Sequence, residues 1–380
     1  MNGGLLKKPT KKLAIVIPSL KGGGIARAMI NVGAALRSGG WFETVDLVPL
    51  ANRGPADYDI YGDVRIIEPN ASRLLRSVAP FARYLSHSRP TCILSAGETA
   101  NLISVGVSRL MRVDARVVVC AQTHLSVDTA NTPLQERPLR LRTVPALVRR
   151  MYPAADAVIA VSAGVARDLV ENHAVPREQI SIIHNPVGTD VADLGSAQIE
   201  HPWLQTPVGQ PVILSAGRLV AQKDFAMLVR AFALLREDID VRLVILGKGP
   251  LRAELLELAE SLGVRQHVDL PGFVRNPYAW ITRADVFAMS SAWEGSPNVL
   301  VEALACGTPV VSTDCPSGPA EILDGGKIGP LVPVGDSVAM ARALARVLRA
   351  PPEKATLRAR AHDFSLEATA NAYGKVLCGQ

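Results

Sequence analysis

Two successive series of short β-branched runs, each run followed by an amphipathic helical stretch, organise this 380-residue sequence. Short apolar runs between turn residues read as strands buried on both faces, and the stretches of helical period after them read as covering helices. Such alternation leaves few solutions: it closes as a parallel sheet with helices on both sides. In the first series, strands are predicted at Leu13–Pro18, Val45–Pro49, Val64–Glu68, Cys92–Ser95, Val117–Ala121 and Ala157–Val161. Helices are predicted at Ile25–Ser38, Ala71–Ser86, Asn101–Leu110 and Val165–Asn172. His184-Asn185-Pro186-Val187 breaks the series, and 188–210, with Pro202, Pro207 and Gly209, reads as a linker or hinge. The second series has strands at Val212–Ala216, Arg242–Leu246, Val286–Met289 and Pro309–Ser312. Its helices are predicted at Asp224–Arg236, Leu251–Leu262 and Pro297–Cys306, then Ser337–Leu348 and Leu366–Leu377. Two doubly wound α/β domains are expected, 1–187 and 188–364, with a ligand cleft between them.

Composition agrees with two folded cores. Hydrophobic residues make up 48% and charged ones 20%, which excludes a disordered chain, and no apolar run nears the roughly 18 residues of a membrane span. The basic start ends in a short apolar run at Pro18 with no small-residue cleavage site, so no signal peptide is read and a cytosolic location is expected. The five cysteines are widely spaced and odd in number, which favours free buried thiols over disulfides or zinc. Charge is uneven. Residues 1–195 hold 23 Lys and Arg against 16 Asp and Glu, and the remainder holds 18 against 19. Between Arg73 and Arg150 the count is 12 basic to 4 acidic. That asymmetry suits nucleic acid, a membrane surface or a phosphorylated acceptor, or else a merely solvated face.

Four constellations can carry chemistry. Gly22, Gly23 and Gly24 lie between the first strand and first helix, where backbone amides and the helix dipole attract an anion. Arg27 spoils a dinucleotide fingerprint, and the same glycines equally serve a tight turn. Ser296 and Pro297 read as the cap and first turn of a helix flanked by Glu294 and containing Glu302. Two carboxylates there repel phosphate but accept hydrogen bonds from sugar hydroxyls; otherwise they are a cap and a solvated charge. Arg218 and Lys223 follow a strand and precede a helix, a place where cations neutralise a leaving diphosphate or simply face water. His124 follows the strand Val117–Ala121 and either acts on a ligand or is structural, whereas His184 reads as structural.

The segment from Glu294 to Val311 resembles the signature of retaining GT-B glycosyltransferases of family four, with seven residues between its two glutamates. In the family's order come Gly22-Gly23-Gly24, Ala160-Val161-Ser162, Asn185-Pro186-Val187, Gly217-Arg218-Leu219 with Lys223, Leu246–Pro250 and Pro271–Pro277. The resemblance implies two facing Rossmann-like domains, with the terminal helix, 365–380, crossing back onto the first. It implies that Glu302 binds the nucleotide ribose and Glu294 the donor sugar. Arg218 and Lys223 would hold the diphosphate, with amides near Asn298, Val299 and Leu300 and the Gly23-Gly24 loop. The Phe273 backbone would read the base, and His124 would lie near the transferred sugar. It further implies a metal-independent reaction with no cofactor, and a glycan or lipid-linked acceptor.

Two local features refine that expectation. Many relatives that build bacterial surface glycans read Gly-Gly-Ala-Glu-Arg at the first loop, but here Ala26 replaces the glutamate. The stretch Thr313–Ile322 resembles members that use UDP-sugars, often N-acetylated hexoses. The basic first half is expected to dock on an anionic cytoplasmic leaflet through Arg137–Arg150, and no recognition motif supports nucleic acid. Competing readings are a GT-B nucleotide-sugar epimerase and a non-catalytic binding protein on the same fold; an oxidoreductase is disfavoured by Arg27.

Overall fold

The computed structural model describes residues 11–21, 24–51, 63–68, 74–131, 139–188, 191–205 and 209–380. The chain divides into two units. The first comprises Met1–Val161, Val165–Pro186 and Leu366–Gln380; the second comprises Ser162–Gly164 and Val187–Ser365.

The first unit holds seven strands: β1 Lys12–Ile17, β2 Thr44–Pro49, β3 Val64–Ile66, β4 Cys92–Ala96, β5 Arg116–Ala121, β6 Ala157–Ala160 and β7 Ile180–Ile182. All pair in parallel, in the order β3-β2-β1-β4-β5-β6-β7. The side chains of the inner strands are buried on both faces, as Leu13 to Ile17 in β1 show, because helices cover the sheet on each side, whereas the edge strands β3 and β7 are partly exposed. The expected face of the first helix, here Gly24–Ser38, buries Met29, Val32 and Leu36, with Ile25 at its edge. The last helix, Leu366–Cys378, packs on that helix. Gly374 is required there, since a Cβ would collide with the Trp41 indole. Arg116 Nε donates to the Val376 carbonyl at 3.0 Å, and the Tyr373 hydroxyl lies 3.4 Å from Cys120 Sγ, pinning the helix to β5.

The second unit holds β8 Val212–Ala216, β9 Arg242–Leu246, β10 Val268–Gly272, β11 Val286–Met289, β12 Val310–Thr313 and β13 Leu331–Val332. They too are parallel, in the order β10-β9-β8-β11-β12-β13. Helix Phe225–Leu235 buries Phe225, Leu228, Val229, Phe232 and Leu235, and Asp224 caps it by accepting from the Met227 amide at 3.2 Å. The chain enters and leaves this unit side by side: the Val187 amide donates to the Phe364 carbonyl at 3.1 Å. The five cysteines are free, four of them buried, and burial raises the Cys92 and Cys315 thiols to about 12.

Several expected boundaries move. The segment read as irregular, 188–210, contains a short helix, Val191–Ser196. Of the helix expected over Ala71–Ser86, residues 71–73 lie outside the described residues; Leu74–Ser77 is a 3-10 turn and Val78–Ser88 is α-helical. The helix expected from Pro297 with Ser296 as its cap begins at Asn298, and Pro297 is the residue flanking it. Pro297 takes ψ 90°, the extended backbone usual for a residue flanking a helix start, and the Gly318 loop packs so closely on its ring that a Cβ on Gly318 would strike Pro297 Cδ. Gly307 ends the helix in left-handed conformation, as its position suggested.

Candidate active site

Each sheet reverses its strand order once, and ligands of doubly wound folds gather at that point beyond the strand carboxyl ends. In the second unit the reversal falls between β8 and β11. The loops leaving those strands carry Arg218 and Lys223 on one side and Glu294 on the other. They are tied together: the Ala292 amide donates to the Gln222 carbonyl at 2.8 Å, and Gln222 Nε2 donates to the Trp293 carbonyl at 2.9 Å. The Ser290 hydroxyl donates to the Lys223 carbonyl at 2.8 Å.

Across this crevice the Lys223 ammonium pairs with Glu294 Oε1, which also accepts from the Ser291 hydroxyl at 2.7 Å. Glu294 is only 6% exposed, so the pair stands largely out of water, where a charge is tolerated only with partners. Among the described residues, no hydrogen bond reaches its other oxygen, Oε2. Arg218 is exposed and reaches Gln222 Oε1 at 3.5 Å. Glu302 lies inside the helix Asn298–Cys306, buried, and accepts from the Tyr278 hydroxyl at 3.4 Å. The helix amides begin at Asn298 and Val299; that of Leu300 already donates to the Pro297 carbonyl at 3.0 Å.

The glycines of the neighbouring turns have a steric reason. Gly247, after β9, has φ 134°, and a Cβ there would collide with the Gly217 carbonyl oxygen. Gly249 would likewise strike the Leu219 carbonyl. The turns after β8 and β9 therefore lie backbone to backbone, joined by Gly217 amide to Leu246 carbonyl at 2.9 Å and Leu219 amide to Lys248 carbonyl at 3.0 Å. Phe273 follows β10 and is 39% exposed.

In the first unit the reversal lies between β1 and β4. Gly24 is the first residue of its helix, and Gly23 lies outside the described residues. Glu98, absent from the sequence-derived candidates, opens the helix after β4; burial raises its carboxyl, against hydrogen bonds from its own amide and Thr123. His124, after β5, begins the helix Leu125–Asn131, its carbonyl accepting the Asp128 amide at 3.0 Å. Its Nδ1 lies 3.4 Å from Asp168 Oδ2. Asp168, in helix Ala163–His173, is a second group that sequence reading missed, because 44 residues separate the pair. Burial works to raise its carboxyl, but hydrogen bonds from His173, Ser126 and Asn172 outweigh that and hold it well below the usual carboxylate range. His184 Nδ1 donates to the Val161 carbonyl at 2.9 Å, a structural bond. Among the described residues, no group of three or more His, Cys, Asp or Glu could hold a metal ion.

The comparisons with known proteins agree with this architecture. The sequence model of Glycosyl transferases group 1 matches residues 197–364, and that of Glycosyltransferase Family 4 matches residues 22–191. The chain belongs to the group 1 glycosyl transferases of GT-B fold. It is 37% identical over 223 residues to the N-acetylgalactosamine-N,N'-diacetylbacillosaminyl-diphospho-undecaprenol 4-alpha-N-acetylgalactosaminyltransferase of Campylobacter jejuni, covering 57% of this chain and 59% of that one. It is 34% identical over 209 residues to the lipopolysaccharide core biosynthesis glycosyltransferase LpsE of Rhizobium meliloti, covering 54% and 59%. The matches thus span about three fifths of those relatives' length. The crystal structure of Anabaena HepE in complex with UDP and glucose shares the fold, with a TM-score of 0.77 at 19% identity over 97% of this chain and 100% of that one.

Proposed function

We propose that the protein is a retaining, metal-independent glycosyltransferase that uses a nucleotide diphosphate sugar, UDP before GDP. It moves a hexose or N-acetylhexosamine to a lipid-linked or polysaccharide acceptor in bacterial surface glycan synthesis. The observation that carries this reading is the Lys223–Glu294 pair at the β8/β11 crevice, with Oε2 of Glu294 unengaged among the described residues. A buried carboxylate with an available oxygen suits sugar hydroxyls, and the neighbouring cations suit the diphosphate. The leaving diphosphate departs toward Arg218, Lys223 and the amides of Asn298 and Val299, that of Leu300 being engaged by the Pro297 carbonyl. Glu302 takes the ribose, the Phe273 backbone reads the base, and His124 meets the transferred sugar. The acceptor hydroxyl attacks from the face the diphosphate leaves and gives its proton to a departing phosphate oxygen. No carboxylate pair of glycosidase type is needed.

The names of relatives support the acceptor class: the C. jejuni protein acts on a diphospho-undecaprenol-linked sugar, and LpsE is named for lipopolysaccharide core synthesis. HepE, of the same fold, binds UDP and glucose. Peripheral binding to the inner face of the cytoplasmic membrane fits the exposed Leu110 and Met111 of helix Glu98–Met111 and the exposed Leu147 of helix Leu139–Met151, two helices that pack together. Arg112, Arg149 and Arg150 are exposed beside them in sequence. No helix among the described residues is long and apolar enough to cross a membrane.

A donor panel that measures released nucleotide, with stereochemistry of the product by NMR, tests this reading. Transfer from a UDP-sugar with an α-linked product from an α-linked donor is expected. Inversion, interconversion of free donor without acceptor, or no turnover of any donor would overturn it.

A further inference from the structure

The geometry points to Asp168 as a positioning residue that holds the His124 imidazole in its Nδ1–H tautomer, leaving Nε2 as the ring's acceptor for a hydroxyl of the transferred sugar. The inference rests on the role proposed above for His124. Two neighbours compete for Nδ1. The Val127 amide, in the first turn of the helix that His124 opens, lies 3.5 Å away and would require a lone pair there. Asp168 Oδ2, at 3.4 Å, would require a proton there.

The carboxylate wins on charge. Asp168 is 2% exposed, and a bond from a neutral N–H to an ionised acceptor is roughly twice as strong as a neutral one. Both contacts are long for a hydrogen bond, 3.5 Å to the amide and 3.4 Å to the carboxylate, so charge and not distance ranks them.

Asp168 is itself fixed. The Ser126 amide donates to Oδ2 at 3.1 Å and Asn172 Nδ2 to Oδ1 at 2.9 Å. His173 Nε2 approaches Oδ2 at 3.6 Å and lies 3.3 Å from the Ser126 hydroxyl. These contacts hold the carboxylate in place with Oδ2 turned to the His124 ring. Among the described residues, no hydrogen bond reaches His124 Nε2. The ring is therefore set as an orienter–imidazole unit, in which the carboxylate chooses which nitrogen carries the proton.

Long-range proton–nitrogen NMR of the full chain labelled in histidine reads the tautomer without any substrate, with His124 identified by the signal lost in His124→Gln. The expected result is a protonated Nδ1 in the native protein and a shift to Nε2–H in Asp168→Asn, where the charge is gone but the shape is kept. His173→Gln, which keeps the Asp168 charge, should leave the His124 signal as in the native protein. With a donor chosen from the panel, Asp168→Asn should lower kcat by about 100-fold with donor KM little changed. A native Nε2–H tautomer, an unchanged tautomer in Asp168→Asn, or an equal disturbance in His173→Gln would overturn the inference. Unimpaired transfer by His124→Gln would instead overturn the role of His124 itself, and with it the kinetic part of the inference, whatever the tautomer.

Discussion

The two units solve the same topological problem with different materials. Both are all-parallel sheets whose order reverses once, between β1 and β4 in the first and between β8 and β11 in the second. At the second reversal the charged cluster comes from residues next to strand ends: Arg218 and Lys223 after β8, Glu294 after β11, with glycines after β8 and β9 that permit backbone contact. In the first unit, the polar cluster around His124 reaches across folds of the chain, from the end of β5 to the middle of helix Ala163–His173. A crevice assembled from local turns tolerates little change in sequence or backbone, whereas one assembled across elements depends on single long-range contacts.

The sharpest way to break this contrast is Lys223→Ala. It removes a cation from the leaving group and strands Glu294, so transfer should fall by about 100- to 1,000-fold. Donor binding, read by thermal shift with UDP, should weaken together with the melting temperature, because a buried carboxylate loses its partner. Retention of most activity would mean that the second crevice does not handle the diphosphate. Next comes the backbone. Gly247→Ala meets both a φ of 134° and the Gly217 carbonyl, and should cost about 3 kcal/mol. Gly97→Ala, directly after β4 at the reversal of the first sheet, has φ 92° and a nearest approach of 3.2 Å to Pro18 Cγ, and should cost only about 1–2 kcal/mol. Midpoints of urea unfolding that reverse this order would remove the steric distinction between the two crevices.

That distinction also decides what sequence can disclose. Glu294, Lys223 and Arg218 sit within a few residues of glycine-marked turns, so spacing alone brought them forward, and both sheets followed from periodicity. Asp168 lies inside a helix whose periodicity makes it one more polar position, and only tertiary contact exposes it. The helix Leu139–Met151 went unread because Pro145 interrupts its pattern, although its buried Val144 and Val148 keep helical spacing. Strands as short as β7 and β13 carry too few residues for a period. The start of helix Asn298–Cys306 differs by one residue from the expected one because Pro297, which suits a first helical position, serves as the extended flanking residue.

A smaller effect separates the units by pH. The Asp168 carboxyl is depressed in the folded state, so below its ordinary value of 3.8 the unfolded chain binds a proton that the folded chain does not. Stability therefore rises with pH there: the contribution is complete above about pH 4 and is lost as pH falls through the folded value. Asp168→Asn should flatten the acid limb of the melting curve between about pH 4 and pH 2 while lowering stability near neutrality. Glu294→Gln, in the other unit, serves as the comparison. An acid limb unchanged by Asp168→Asn would show that the cluster does not keep its charge.

The smallest expected difference concerns the surface. If the first unit's basic excess meets a membrane, an exposed arginine beside Leu147 should matter more than one on the second unit. Arg150→Ala should weaken binding to phosphatidylserine-containing vesicles by about 1 kcal/mol, roughly fivefold, and raised salt should erase the difference. Arg349→Ala removes the same charge from an exposed site of the second unit and should leave binding unchanged. Equal losses would mean that net charge alone governs the interaction. An additional loss in Leu147→Ala would indicate that apolar contact joins the electrostatic one, as expected of a 40% exposed leucine two residues from a pair of arginines.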